Sequence, residues 1–205
     1  MSDLAICGID VSRETLDSLR AYAALLKKWN ARINLVAPST LSDVWSRHII
    51  DSAQLFSHAP PSTRRWVDLG SGGGLPAIVC AILAKELLPA CRFTLIESDK
   101  RKSAFLLTAA QTLDLDLTLL AERAEMVPPQ GADVVTARAL APLSQLLSLV
   151  QRHLSVTGVA ILPKGKNHAT ELADARREWQ FEQVAIESLT DHLAKILILK
   201  EILRV

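Results

Sequence analysis

The sequence predicts an α/β fold: a mainly parallel seven-stranded sheet with an antiparallel edge hairpin, preceded by a helical extension. From residue 65 onward, short apolar strands alternate with helical stretches of about 10–15 residues, the pattern of βαβ units. The first of these strands runs straight into a glycine-rich turn and then a helix. The last two strands follow each other across a short connection, which suits a hairpin rather than another crossover.

Taken in order, residues 12–34 put Leu16, Leu19, Ala23, Leu26, Trp29 and Ile33 on one helical face, with Ser12 as N-cap. A second helix is expected from Thr40, where Thr40-Leu41-Ser42-Asp43 has capping-box form, to Phe56, ahead of Pro60-Pro61. Residues 1–60 are thus read as an N-terminal helical extension and 61–205 as the α/β domain, the two forming one compact unit. Strands are expected at 65–69, 92–97, 117–121, 132–137 and 156–162, with helices at 75–88, 100–113, 142–154 and 168–178. Pro76 falls in the first turn of its helix, where proline is tolerated. Strands at 181–187 and 193–203, separated by Thr190-Asp191, close the chain.

Composition narrows the class. Of 205 residues 49% are apolar and 22% charged, which fits a packed globular domain rather than a disordered chain. With 23 basic and 22 acidic residues, any nucleic-acid contact has to come from a local patch. Cys7, Cys80 and Cys91 are odd in number and lack CxxC spacing, which points to small buried hydrophobes in a reducing cytoplasm. The opening MSDLAICGID has neither the basic start nor the apolar run of a signal peptide, and no segment approaches the ~20 apolar residues of a membrane span. A soluble cytoplasmic protein is expected, and nothing demands more than a monomer. His48, His58, His153, His168 and His192 are scattered without ligand spacing, so no metal site is expected.

The informative stretch is Asp68-Leu69-Gly70-Ser71-Gly72-Gly73-Gly74-Leu75-Pro76, where a strand ends and a helix begins. Glycines there let backbone approach a ligand closely, beside the free N–H groups of the helix start. Gly72, Gly74 and Ala77 satisfy the G-x-G-x-x-A pattern of a dinucleotide site. Asp68, Gly70, Gly72 and Gly74 satisfy D-x-G-x-G-x-G, which resembles the first motif of Rossmann-like S-adenosylmethionine-dependent methyltransferases. In that motif the acid helps to order the loop around the donor's methionine amine, and Asp68 favours this second reading. Glu97, at the end of the next strand, can accept hydrogen bonds from ribose hydroxyls under either reading. Ala124-Glu125 can frame an adenine. Arg138, just past the fourth strand, can meet a donor carboxylate, an RNA phosphate or a surface acid.

Several further strings, taken together, are similar to one family, the bacterial small-subunit ribosomal RNA guanine-N7 methyltransferases (RsmG, formerly GidB). They are Lys28-Trp29-Asn30 with Asn34-Leu35, Arg47-His48-Ile49-Ile50-Asp51-Ser52, Asp68 to Pro76, Arg123-Ala124-Glu125, Arg138-Ala139 and Lys164-Gly165. The resemblance implies a Rossmann-like class I methyltransferase fold with S-adenosylmethionine as methyl donor. It also implies donor contacts at Gly70, Leu75, Ala124, Glu125 and Arg138. The substrate it implies is small-subunit (16S) ribosomal RNA, as naked RNA or in the assembled subunit. Gly73, Ala77 and Val36 depart from the usual pattern, which bears on loop packing.

Guanine N7 carries a free lone pair, so methyl transfer to it needs positioning rather than a general base, and no catalytic base is assigned. Arg138 and Lys164 are candidates for orienting the substrate. Arg47, His48 and Asp51 share one side of the second helix and can line the donor site's mouth, bind RNA or pair with one another. Lys164 and Lys166, with Lys100 and Arg101, are candidate RNA contacts. Together with Arg64-Arg65 and Arg176-Arg177 they are read as a discontinuous phosphate-binding rim.

Overall fold

The computed structural model describes residues 5–205, so residues 1–4, where the predicted extension begins, lie outside the described residues. A small hairpin that the sequence reading did not anticipate opens the described chain: β1 (Ala5–Ile6) pairs with β2 (Ile9–Asp10), and Ile6 enters the core. Helix α1 (Arg13–Asn30) is capped as expected, the Ser12 hydroxyl accepting from Thr15 N at 3.1 Å. It stops at Asn30, short of residue 34. The Asn30 side-chain oxygen accepts from Leu35 N and Val36 N at 2.8 and 2.9 Å, offering the backbone an alternative to the next helical turn.

The helix expected over 40–56 is corrected to three pieces: a 3-10 turn at Pro38–Asp43, a π-helical segment at Trp45–Ile50, and α2 (Asp51–Phe56). Thr40 lies inside the 3-10 turn and caps nothing; its hydroxyl donates to Ala37 O at 2.7 Å. Pro38, rather than a capping box, starts the segment. π-helical turns are rare and concentrate at functional sites, and this one carries Arg47 and His48.

The rest follows the expected order: β3 (Arg65–Leu69), α3 (Ala77–Leu87), β4 (Arg92–Ile96), α4 (Lys100–Thr112), β5 (Leu117–Leu120), β6 (Ala132–Ala137), α5 (Leu143–His153), β7 (Leu154–Lys164), α6 (His168–Ala175), β8 (Trp179–Glu187) and β9 (Lys195–Arg204). Two bounds are corrected: Pro76 is the N-cap of α3 rather than within it, and α6 ends at Ala175.

Seven strands make one sheet in the order β5-β4-β3-β6-β7-β9-β8. The first five are parallel, while β9 runs antiparallel to β7 and β8 to β9, which is the predicted edge hairpin. The chain winds outward from β3 through β4 to β5, then returns to β6 on the other side of β3. The switch point of an open sheet, where ligands settle beyond the carboxyl ends of the strands, therefore lies between β3 and β6.

Both faces of the sheet are covered, and side chains alternate between them. Trp66, Val134, Val159 and Ile161 face a core shared with α1–α4; Val67, Val135, Ala160 and Leu162 face a second core under α5 and α6. Leu19, Tyr22 and Leu26 of the extension belong to the same core as Trp66 and Phe93. Trp66 is stacked between Phe56 and Phe93, with ring centroids 6.2 and 5.2 Å apart. No helix among the described residues is long and apolar enough to cross a membrane.

Candidate active site

At the carboxyl end of β3 the glycine loop turns back over β4. Gly70 N and Ser71 N both donate to Ile96 O, at 2.9 and 3.1 Å. Gly70, Gly72 and Gly74 all have positive φ, which accounts for the run of glycines. At Gly74 space also decides: a Cβ there would strike Ile78 Cγ1 and come within 3.1 Å of both Leu106 Cδ2 and Tyr22 Oη. At Gly72 the same hypothetical atom meets nothing closer than Gly70 O at 3.7 Å, so the loop leaves open space on that side.

Glu97 does more than the sequence suggested. Its Oε2 accepts from Gly72 N at 2.8 Å and its Oε1 from Asp99 N at 2.7 Å, locking the glycine loop to the start of α4. Each carboxylate oxygen keeps a second lone pair for a ribose hydroxyl.

Asp68 lies beneath the loop, 1% exposed. Its Oδ1 accepts from the Thr136 hydroxyl at 2.7 Å, and that hydroxyl accepts from Trp66 Nε1 at 3.0 Å. Oδ2 is buried without a partner. Burial pushes the Asp68 carboxyl up to about 6, against the pull of the Thr136 hydrogen bond and the Arg138 charge. An orphaned buried carboxylate oxygen next to open loop backbone suits a ligand carrying positive charge.

Leu75 is buried. Ala124 is buried and Glu125 exposed. Here the structure adds residues that the sequence reading passed over. His153, at the end of α5, donates from Nε2 to Ala124 O at 2.9 Å, and Arg152 Nε donates to Val127 O at 3.0 Å. Burial holds His153 below its ordinary range, which keeps it neutral, and the two bonds fasten the 124–127 loop.

Across the switch point Arg138 leaves the end of β6. Its Nη1 lies 3.3 Å from Asp51 Oδ2, and both Nη atoms lie 3.4 Å from His48 Nδ1. Since a guanidinium only donates, Nδ1 accepts, and His48 Nε2–H faces the Thr40 hydroxyl at 2.7 Å. Burial and the neighbouring Arg138 charge lower the His48 imidazole to about 4, so it is neutral at physiological pH. Asp51 Oδ1 takes the Thr190 hydroxyl at 2.6 Å. Asp51 thus pairs with Arg138 and not with Arg47, whose Nη1 lies 3.9 Å from Asp191 instead. Of the three partners left open for Arg138, the structure shows the acid, Asp51, and places the pair at the cleft rather than on open surface.

These residues line a cleft of about 940 Å³ whose other wall is the Pro163–Gly165 end of β7 and the β8–β9 turn. Lys164 is in it but is not a free cation: at 10% side-chain exposure its Nζ donates to Glu171 Oε2 at 2.8 Å and to Ala141 O at 3.2 Å. Glu171 also accepts from Leu143 N, so the pair holds the loop that follows Arg138. In that loop Ala139 has φ of 53° and Leu140 lies over Gly70; a Cβ on Gly70 would sit 2.6 Å from Leu140 Cδ1. Leu140 therefore stands between the glycine loop and the cleft, and no motif marked it.

Other predicted cations do not join them. Lys166 is exposed beside the cleft wall, while Lys100 and Arg101 lie at the start of α4, outside the lining. The rim as a whole is corrected. Arg65 opens β3, and Arg176-Arg177 precede Trp179, which pairs with Arg204, so these arginines sit at the far end of the sheet. Parallel strands followed by returning helices put them there, which a reading of charge clusters alone does not register.

Comparison with known proteins gives the family and the fold. Residues 15–198 match the family described as rRNA small subunit methyltransferase G. A ribosomal RNA small subunit methyltransferase G of Cereibacter sphaeroides is 47% identical over 205 residues, covering 100% of both chains. The protein of the same description from Rhodospirillum centenum is 52% identical over 192 residues, covering 94% of this chain and 87% of its own. Among solved structures, a TehB-like SAM-dependent methyltransferase from Corynebacterium glutamicum superposes with a TM-score of 0.57 at 16% identity, covering 90% of this chain and 98% of its own. A 16S rRNA N2 methyltransferase of T. thermophilus, in complex with AdoMet and guanosine, gives 0.55 at 14% identity over 74% of this chain and 38% of its own. These structural likenesses show a Rossmann-like class I methyltransferase fold.

Proposed function

This chain belongs to the rRNA small subunit methyltransferase G family, and from that premise we propose that it transfers the methyl group of S-adenosylmethionine to N7 of one guanine in small-subunit (16S) ribosomal RNA. The observation that carries the reading is the meeting, at the β3–β6 switch point, of a glycine loop over the orphaned Asp68 oxygen and Arg138 at the edge of a wide cleft. The donor supplies an electrophilic methyl carbon on a sulfonium. The N7 lone pair forms the new N–C bond as the C–S bond breaks, and no proton moves.

What the chain contributes is placement. Asp68, Gly70, Gly72, Gly74 and Leu75 hold the methionine end, with Asp68 offset against its positive charge and Arg138 set for its carboxylate. Glu97 takes the ribose, and Ala124-Glu125 the adenine. Arg47, His48 and Lys166 face the RNA from the cleft mouth, with Lys100 and Arg101 as outlying phosphate contacts, while Lys164 acts on RNA through the loop it fastens. Residues 1–60 and 61–205 work as one unit, a monomer in the cytoplasm. The substrate is small-subunit RNA, naked or in the assembled subunit, with the guanine presented to the open cleft.

The test is transfer of labelled methyl from S-adenosylmethionine to small subunits lacking their own N7 methylation, with naked RNA alongside. Label on a single guanine N7 is expected. Donor binding without label on either RNA would redirect the reading to another methyl acceptor.

A further inference from the structure

We infer that Tyr22, in the middle of α1, is a positioning residue for the methyl donor: its hydroxyl fixes the glycine loop from beneath, making the N-terminal extension part of the donor site. Tyr22 is fully buried and donates to the carbonyl of Gly73, 51 positions further along the chain. That carbonyl lies between β3 and α3, outside both of their hydrogen-bond ladders, so the phenol meets a group that regular structure leaves open. Burial pushes the phenol far above its ordinary range, so it remains a donor at any physiological pH.

Glu97 pins the N–H of Gly72 from the β4 side, while Tyr22 pins the C=O of the next residue from the α1 side. Two peptide groups of the loop, separated by a single one, are therefore held by side chains from opposite directions. The extension also presses on the loop by contact. A Cβ added to Gly73 would lie 3.3 Å from Leu26 Cδ1, from Leu35 Cβ and from Leu35 O. Leu35 is kept there by the Asn30 side chain. This close approach leaves little room for a side chain at Gly73. The inference rests on the reading of this loop as the donor site.

The experiment is calorimetric titration of S-adenosylmethionine and S-adenosylhomocysteine into the wild-type protein, Tyr22→Phe and Glu86→Ala. Tyr22→Phe keeps the ring and removes only the hydroxyl, leaving a buried carbonyl unpaired in a loop that must hold its shape to bind. About tenfold weaker binding of both ligands is expected. With small subunits as substrate, the donor KM should rise in step while kcat at saturating donor stays within about twofold. Glu86 ties the far end of α1 to α3, its carboxylate accepting from Ser12 and Thr15 hydroxyls at 2.9 and 2.6 Å. Glu86→Ala therefore loosens the same helix away from the loop, and should lower thermal stability with donor affinity intact.

Equal donor affinity in wild type and Tyr22→Phe would overturn this inference alone. So would an equal loss in Glu86→Ala, which would mean that general loosening is responsible. Absence of donor binding by the wild type would overturn the functional reading and this inference with it. Should Tyr22→Phe fail to fold, Asn30→Ala releases Leu35 from the same contact, and unchanged donor affinity there is again overturning.

Discussion

In the glycine loop the working groups are backbone atoms of consecutive residues, whereas in the adjoining cleft they are side chains from segments up to 139 positions apart. The loop is specified by what its residues lack: Gly74 has no room for a side chain, and Gly72 leaves space for a ligand. The cleft is specified by pairs, His48 with Arg138, Asp51 with Thr190, and Lys164 with Glu171. A contiguous backbone site tolerates little change at each position. A site of paired side chains shares the burden, and losing one member mainly releases the other.

The sharpest way to break this contrast is within the loop itself. Gly74→Ala combines a positive φ with a clash against Ile78, and should cost on the order of 3 kcal/mol of folding stability in urea titrations. Gly72→Val should cost about 1–2 kcal/mol for its backbone conformation, yet abolish donor binding by filling the open side. If Gly72→Val binds donor normally, the ligand does not lie against the loop.

Next in size is Lys164→Ala. The sequence alone suggested a phosphate contact, but the buried pair with Glu171 changes the expectation to a stability loss of about 2 kcal/mol. A double-mutant cycle with Glu171→Ala should recover about 1 kcal/mol or more of coupling. Full stability with weaker RNA binding would restore the simpler role.

Titration gives a third, smaller contrast. His48 is held near 4 in the fold against an ordinary 6.5, so the unfolded chain takes up its proton first as the pH falls. The stability from keeping it neutral is complete above 6.5 and lost as the pH falls toward 4. Asp68 runs the other way: raised from 3.8 to about 6, its contribution is complete below 3.8 and lost as the pH rises through 6. Between pH 4 and 6 the two slopes oppose each other. His48→Gln removes one of these slopes, so the unfolding midpoint should rise less, or fall more, with increasing pH across that window than it does in the wild type. An unchanged pH dependence in the variant would show that the fold does not hold His48 neutral.

The smallest effects belong to Lys100→Ala and Arg101→Ala. Both residues are exposed and outside the cleft, so donor affinity should be unchanged. The logarithmic salt dependence of RNA binding should lose a slope of about 1 for each cation that meets a phosphate. An unchanged slope would remove them from the RNA surface.

The same contrast decides what was legible in the sequence. The succession of strands and helices, the edge hairpin and the glycine loop came through because apolar periodicity and a contiguous motif are local signals. The broken helix over 38–56 did not, because Thr40-Leu41-Ser42-Asp43 fits a capping box equally well on paper, and tertiary partners decided otherwise. Asp51 was visible as a neighbour of Arg47 one helical turn away. Its actual partner comes from β6, which no spacing rule reaches. Tyr22, Leu140 and His153 were invisible for a related reason: a buried phenol, an ordinary leucine and a lone histidine gain meaning only from what lies opposite them. Arg64-Arg65 and Arg176-Arg177 show the reverse failure, where charge clusters adjacent in composition end up at the far pole of the sheet.

The β8–β9 turn has a bearing on when the protein can first work. Gln54 donates to the Ser188 hydroxyl at 3.1 Å and accepts from Leu189 N at 2.8 Å, while Thr190 donates to Asp51. A segment made early in translation thus waits for one made late before the cleft has both its walls. During synthesis Asp51 and Gln54 gain these partners last, so the cleft closes only once β8 and β9 have joined the sheet.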